Sequence, residues 1–337
     1  MLPPWTERHQ LGAKRIRNIL RSLTVANART LEQKISDAGP SPQRVQPHVL
    51  TISRQHLETA GVVSVRHTNI MPWYHLTSTD RDQVEARLAV LLPIQRKAQL
   101  VSQRVGQSLE ISVLRALRSQ SELEFFGDFP DLNEHDDSTL YSKEEPPAAI
   151  SGRRIPGDKK LDFLVRHPEA GYAGIEAKNI REWLYPDRIE IREVLLKCCA
   201  LDAVPVLIAR RIAYPTFRIL QPCGVVIHQT FNQIYPDSAV EIATQLRDKR
   251  LMGYHDIRLI GAEDAAITHA RLSKFLGENL PNVLPEARES FEEFKDLLGA
   301  YATEQYDYKA FAARVLHRLR GESEDFPGAD VPPEFYE

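Results

Sequence analysis

The sequence predicts an α/β protein of several parts: a mixed-sheet core between an N-terminal helix-and-hairpin module and a helical C-terminal extension. Three observations predict it. Apolar residues recur at helical spacing as far as Gly61, β-type runs cluster between Leu161 and His228, and helical periods return from Ala239 to Leu319. A chain of 337 residues also exceeds the rough 150 residues of one domain.

The first module opens with a helix over Leu11 to Thr24, where Ile16, Ile19, Leu20 and Leu23 share a face and Arg15, Arg17 and Arg21 point outward. Thr30 is the expected N-cap of a second helix through Ala38, which Gly39-Pro40 ends. Ser41-Pro42 then starts a third, in which Val49, Ile52, Leu57 and Ala60 alternate with Arg54, Gln55 and His56 until Gly61. Pro47 is expected to kink or split it. A hairpin follows, Val62 to Arg66 and Trp73 to Leu76 around a turn.

With Leu57, Gly61 and Tyr74-His75-Leu76-Thr77 in these places, residues 1–79 resemble the winged helix-turn-helix modules of DNA-binding proteins. The resemblance implies a double-stranded DNA partner, with Arg44, Arg54, Gln55 and Arg66 as contacts; protein contact or simple packing are its other uses. Charge fits DNA. The overall −3 hides 14 Lys and Arg against 7 Asp and Glu through residue 100, and 29 against 39 beyond it.

Residues 80–100 are expected to be a helical connector, in a charged helical stretch that reaches Gln120 and is interrupted at Pro93. Phe125 to Ile155, with Asp128, Asp131, Asn133, Asp136, Asp137 and Pro146-Pro147, reads as polar loop. Residues 236–320 form the helical extension, with periods over 239–250, 265–276, 285–298 and 308–319. An acidic tail, 321–337, closes the chain.

At 42% hydrophobic and 26% charged residues the composition is that of an ordinary soluble protein. Glu7, Arg8, Lys14, Arg15 and Arg17 stand where a secretory signal needs an apolar run, and no stretch approaches membrane-spanning length, so a cytoplasmic protein is expected. Cys198, Cys199 and Cys223 lack a CxxC pair and read as buried thiols, neither a disulfide framework nor a zinc site.

The chemistry concentrates on one strand. A carboxylate two residues before a lysine occurs at Glu32, Asp158, Glu176, Glu293 and Asp307. At Glu32, Glu293 and Asp307 the context is helical, where residues two apart diverge. Gly171 to Lys178 instead alternates, so Glu176 and Lys178 leave the same face while Ile175 and Ala177 leave the other. Leu161 to Val165 is a second strand, and an antiparallel pairing brings Asp162 beside Glu176. Two carboxylates of this kind can hold Mg²⁺ together with substrate phosphate. Lys178 could orient or deprotonate a water, or stabilise the transition state.

Asp162, followed fourteen positions later by Glu176-Ala177-Lys178, resembles the PD-(D/E)xK, or restriction endonuclease-like, nucleases. The likeness covers residues 101–235. A helix with Glu110 on the stripe of Val113, Leu114 and Leu117 comes first, and a helix over 187–200, a strand over 204–209 and a further strand over 224–228 come after. It implies a restriction-endonuclease-like mixed sheet. Asp162, Glu176 and Glu110 would bind Mg²⁺ or Mn²⁺ with the Ala177 carbonyl, and Lys178 would be catalytic. Leu161 stands where the family has proline, and Pro156-Gly157-Asp158 offers an alternative aspartate; Asp162 is preferred because it lies on the strand. Glu190 and Lys197 on the next helix could face the site, though a solvated face accounts for each.

These readings lead to the expectation of a Mg²⁺-dependent endodeoxyribonuclease, in restriction or phage defence first, in repair or mobile-element movement otherwise. A non-catalytic DNA-binding regulator on the same scaffold and an RNA-directed nuclease are the alternatives. Cutting both strands takes two sites, which a homodimer would supply, and the C-terminal helices could form a partner surface or be packing. No membrane is expected.

Overall fold

The computed structural model describes residues 6–37, 44–120, 123–134 and 139–322. Gly39-Pro40, Ser41-Pro42, Asp136, Asp137 and nearly all of the acidic tail lie outside these residues. The chain is mixed α/β and divides into two compact units, 1–103 with 239–259 and 104–238 with 260–337. No helix among the described residues is long and apolar enough to cross a membrane.

In the first unit, α1 (Glu7–Leu23) begins at Thr6, which caps it reciprocally with His9. Strand β1 (Val25–Asn27) leads into α2 (Ala28–Ile35), and the cap is Asn27, whose side chain accepts from the Thr30 amide at 2.8 Å. Thr30, expected to be that cap, is therefore inside the first turn. Helix α3 (Pro47–Thr59) starts at Pro47. The proline fixes φ for the first helical position, where no amide bond is lost, so it opens the helix and does not kink it. Gly61, at φ +68°, ends it with a backbone conformation that suits glycine.

Strands β2 (Val63–Arg66) and β3 (Trp73–Leu76) form the expected hairpin, and β1 adds to it in the antiparallel order β1-β3-β2. Ile16, Leu20, Leu31, Leu50 and Tyr74 pack in the shared core. Helix α4 (Arg81–Leu100) runs continuously through Pro93; the break falls at Val101.

The second unit begins at Arg104, in the first turn of α5 (Ser102–Gln120), and is built, among the described residues, on a five-stranded sheet. Its strands are β4 (Glu124–Phe126), β7 (Phe163–His167), β8 (Gly171–Lys178), β9 (Val204–Ala209) and β10 (Val226–Gln229); β5 (Ala149–Ile150) and β6 (Arg153–Arg154) form a separate hairpin. The order is β10-β9-β8-β7-β4, antiparallel from β4 to β8 and parallel from β8 to β10. Thus β4, β5 and β6 lie in the segment read as loop.

Helices α6 (Ile189–Leu201) and α7 (Tyr214–Leu220) and strand β11 (Gln233–Tyr235) complete this stretch. The chain then gives α8 (Val240–Arg247) and β12 (Ile257–Leu259) to the first unit, where Lys97 on α4 meets Glu241 at 3.1 Å. Residues 239–259, read with the C-terminal extension, are part of that unit. The remainder, α9 (Ala266–Lys274), α10 (Leu280–Ala302) and α11 (Tyr308–Leu319), belongs to the sheet unit, and α10 packs along α6. Leu297, Tyr301 and Phe311 join Val206 and Ile208 in one core, so these helices are structural there. All three cysteines are free thiols, Cys198 and Cys223 buried and Cys199, read as buried, only half-buried.

Candidate active site

The register of β7 on β8 pairs Phe163 with Ile175, and the Asp162 amide extends the ladder to the Ile175 carbonyl at 3.2 Å. Asp162 therefore lies opposite Glu176 and Ala177. Its Oδ2 accepts from the Ala177 amide at 2.7 Å, which fixes the carboxylate at the strand end. Ala177, implied as a ligand through its carbonyl, meets Asp162 through this N–H. Asp158 is exposed on the preceding turn.

Alternation on β8 puts Gly174, Glu176 and Lys178 on one face, and α6 packs there. A side chain at Gly174 would come within 2.7 Å of Leu161 Cδ1 and 2.8 Å of Cys198 Sγ, so the absence of one lets the helix approach. That approach delivers Lys197. Its Nζ is 2.8 Å from both oxygens of Glu176, and Lys178 Nζ donates to Glu176 Oε1 at 2.6 Å. Lys197 is buried in the site rather than on a solvated face, whereas Glu190 is held by Arg188 at 2.7 and 3.0 Å.

Helix α5 supplies Glu110, and Lys143, from the segment before β5, links it to the strands. Lys143 Nζ lies 2.7 Å from Glu110 Oε2 and 2.8 Å from Asp162 Oδ1. Three carboxylates and three ammonium groups thus share one site. Nothing in the sequence singles out Lys143, one lysine in a polar run. Asn179, also unforeseen, locks the end of β8: its side-chain amide donates to the carbonyls of Val105 on α5 and Ile234 on β11, and its Oδ1 accepts from the Ile234 amide at 3.0 Å.

Electrostatics follow from burial. Glu176 is only 2% exposed, and desolvation, with Asp162 nearby, raises its pKa against the pull of Lys178 and Lys197. Burial, then Asp162, pushes the Glu110 carboxyl up to about 7. For Lys178 and Lys143 burial acts to lower the pKa. The facing carboxylates outweigh it, Glu176 first for Lys178 and Asp162 first for Lys143, so both lie above the ordinary lysine value.

Among the described residues no group of three or more His, Cys, Asp or Glu side chains is arranged to hold a metal ion. The third carboxylate, Glu176, is turned to two lysines. Oxygens of Glu110 and Asp162, however, converge on a single cationic position, which Lys143 Nζ fills, and hard oxygen donors of this kind suit Mg²⁺ or Mn²⁺.

Of the four residues assigned to DNA contact, Arg54 lies over the Tyr74 ring at 4.4 Å and is paired with Glu58, and Arg66 is paired with Glu85 at 2.9 Å. Arg44 is half-buried and Gln55 exposed. Comparison with protein-family models finds no match, and comparisons with curated proteins and with solved structures find none either.

Proposed function

We propose that the second unit hydrolyses phosphodiester bonds in DNA with a divalent metal ion, as an endonuclease of the PD-(D/E)xK type. One observation carries this reading: Asp162, Glu176 and Lys178 meet at the end of an antiparallel strand pair, with Glu110 converging on Asp162 from α5. The element order α5, β4, β7, β8, α6, β9 supports it as well.

Glu110 and Asp162 would hold the ion, Mg²⁺ or Mn²⁺, with Glu176 adjoining. When bound, the ion would activate water and offset charge on the attacked phosphate. Lys178, held protonated by its carboxylate neighbours, acts better as a fixed positive charge toward a phosphate than as a base. The element order α1, β1, α2, α3, β2, β3 supports a winged-helix reading of the first unit, which would bind duplex DNA by phosphate contacts. Restriction or defence against foreign DNA is the biological setting we favour.

The competing reading is a non-catalytic DNA-binding scaffold, favoured by the lysines that already occupy the carboxylates. Cleavage of supercoiled plasmid by wild type and Lys178→Ala, each with Mg²⁺ and with EDTA, decides. Metal-dependent nicking or linearisation by wild type alone supports the nuclease. Binding without cleavage by either protein, across Mg²⁺ and Mn²⁺, favours the scaffold.

A further inference from the structure

The geometry points to Lys143 as a built-in counter-cation: its ammonium holds the position between Glu110 and Asp162, and a divalent ion binds there only by displacing it. This rests on the metal-dependent reading above. Two carboxylates match one divalent ion in charge. When both are ionised, a single ammonium leaves them one negative charge in excess, because Lys178 and Lys197 both serve Glu176.

The backbone around Lys143 is pinned. Gln107, one turn before Glu110 on α5, donates to the Tyr141 carbonyl at 2.9 Å and accepts from the Tyr141 amide at 3.0 Å. Glu144 exchanges two 2.8 Å backbone bonds with Asp128, and the Ser142 amide donates to Asp131 Oδ2 at 3.0 Å. Displacement is therefore a swing of the flexible four-carbon stem, not an opening of the segment.

A place to swing to is present. Glu145 Oε2 is 3.7 Å from the same Nζ, and Glu145 is 31% exposed where Lys143 is 14%. Moving toward Glu145 takes the ammonium from the buried carboxylates to the rim without leaving it unpaired. With no ion bound, Lys143 offsets one of the two buried charges, which matters because like charges crowded in a buried site are costly. It also sets a threshold on metal affinity, since charge-assisted bonds to two carboxylates must be given up.

The test is Mn²⁺ binding to the full chain without DNA, by calorimetry and by loss of the free-ion electron paramagnetic resonance signal. Wild type is compared with Lys143→Met and Lys143→Arg, with thermal melts in EDTA and in Mn²⁺. Lys143→Met is expected to bind Mn²⁺ about tenfold tighter or more. Lys143→Arg keeps the charge and gains nothing. Lys143→Met should also melt lower than wild type in EDTA and recover with Mn²⁺.

Equal or weaker binding by Lys143→Met overturns the counter-cation while leaving the metal reading in place. Failure of wild type and both variants to bind Mn²⁺ overturns both. If Lys143→Met unfolds in EDTA, recovery of its helical circular dichroism with Mn²⁺ supports the proposal, and no recovery overturns it.

Discussion

Lys197 grips Glu176 from α6, its Nζ 2.8 Å from each carboxylate oxygen. The pair is almost wholly buried, at 8% and 2% side-chain exposure, so the carboxylate has no water to fall back on. Breaking such a pair by removing one partner is costlier than the pair's net contribution, because the buried charge is left short of a partner, here with Lys178 alone at 2.6 Å.

Lys197→Met should therefore destabilise the protein by about 3 kcal/mol or more at pH 8, measured by urea unfolding. Glu176 has a raised folded pKa, through burial first and Asp162 second, so the fold favours its protonated form. The deficit is then greatest where the carboxylate is ionised and shrinks as pH falls and it takes up a proton. A deficit that does not change with pH would mean that Lys197 acts by packing alone. Glu176→Gln in the same background should recover part of the loss.

Gly174→Ala should cost on the order of 1–3 kcal/mol, since the new methyl meets Leu161 and Cys198 at distances no side chain tolerates and α6 must shift. Combining it with Cys198→Ala relieves one of the two clashes. The double variant should unfold at higher urea than the sum of the singles predicts, and strict additivity would exclude the helix approach as the cause.

His228 gives the clearest pH dependence. Its ring stacks on Phe275 at 4.3 Å, its Nε2 is buried without a hydrogen-bond partner, and burial, helped by Arg271, lowers its pKa from 6.5 to about 4. Above 6.5 the imidazole is neutral folded or unfolded. As pH falls from 6.5 toward 4 only the unfolded chain takes up the proton, so stability declines through that window, by at most about 3 kcal/mol. His228→Phe keeps a stacking ring and removes the proton, so its urea midpoint should fall less than that of wild type between pH 7 and 4. Parallel profiles would assign the decline to other groups.

Much of this site was legible because strand alternation is a local property. Glu176 and Lys178 lie two apart on β8, and one antiparallel register carries Asp162 to them. Glu110 was legible as a carboxylate on an apolar helical stripe. Lys143 was not, because its part in the site depends on the path of the segment between β4 and β5. Lys197 was visible only as one of two candidates, since helix periodicity does not tell which face meets the sheet. Strand β4 is too short, at 3 residues, for an alternating signal, and the return of 239–259 to the first unit is a long-range pairing with no local mark.

In α3 the structure separates two neighbours that sequence reading assigns to the same task. Arg54 is 17% exposed, stacks on Tyr74 and pairs with Glu58, whereas Gln55 is exposed. Arg54→Ala should lower stability by about 0.5–1.5 kcal/mol through the lost ring contact and stem packing. Gln55→Ala should leave stability within about 0.5 kcal/mol. If Gln55 on α3 contacts duplex DNA, as the winged-helix resemblance implies, Gln55→Ala weakens binding to a fluorescent duplex in anisotropy titrations while its urea curve overlays wild type. Unchanged binding by Gln55→Ala, with Arg54→Ala weakening only in step with its instability, would remove α3 as the reading element and leave the basic residues of α1, Lys14, Arg17 and Arg21, as the next surface to test.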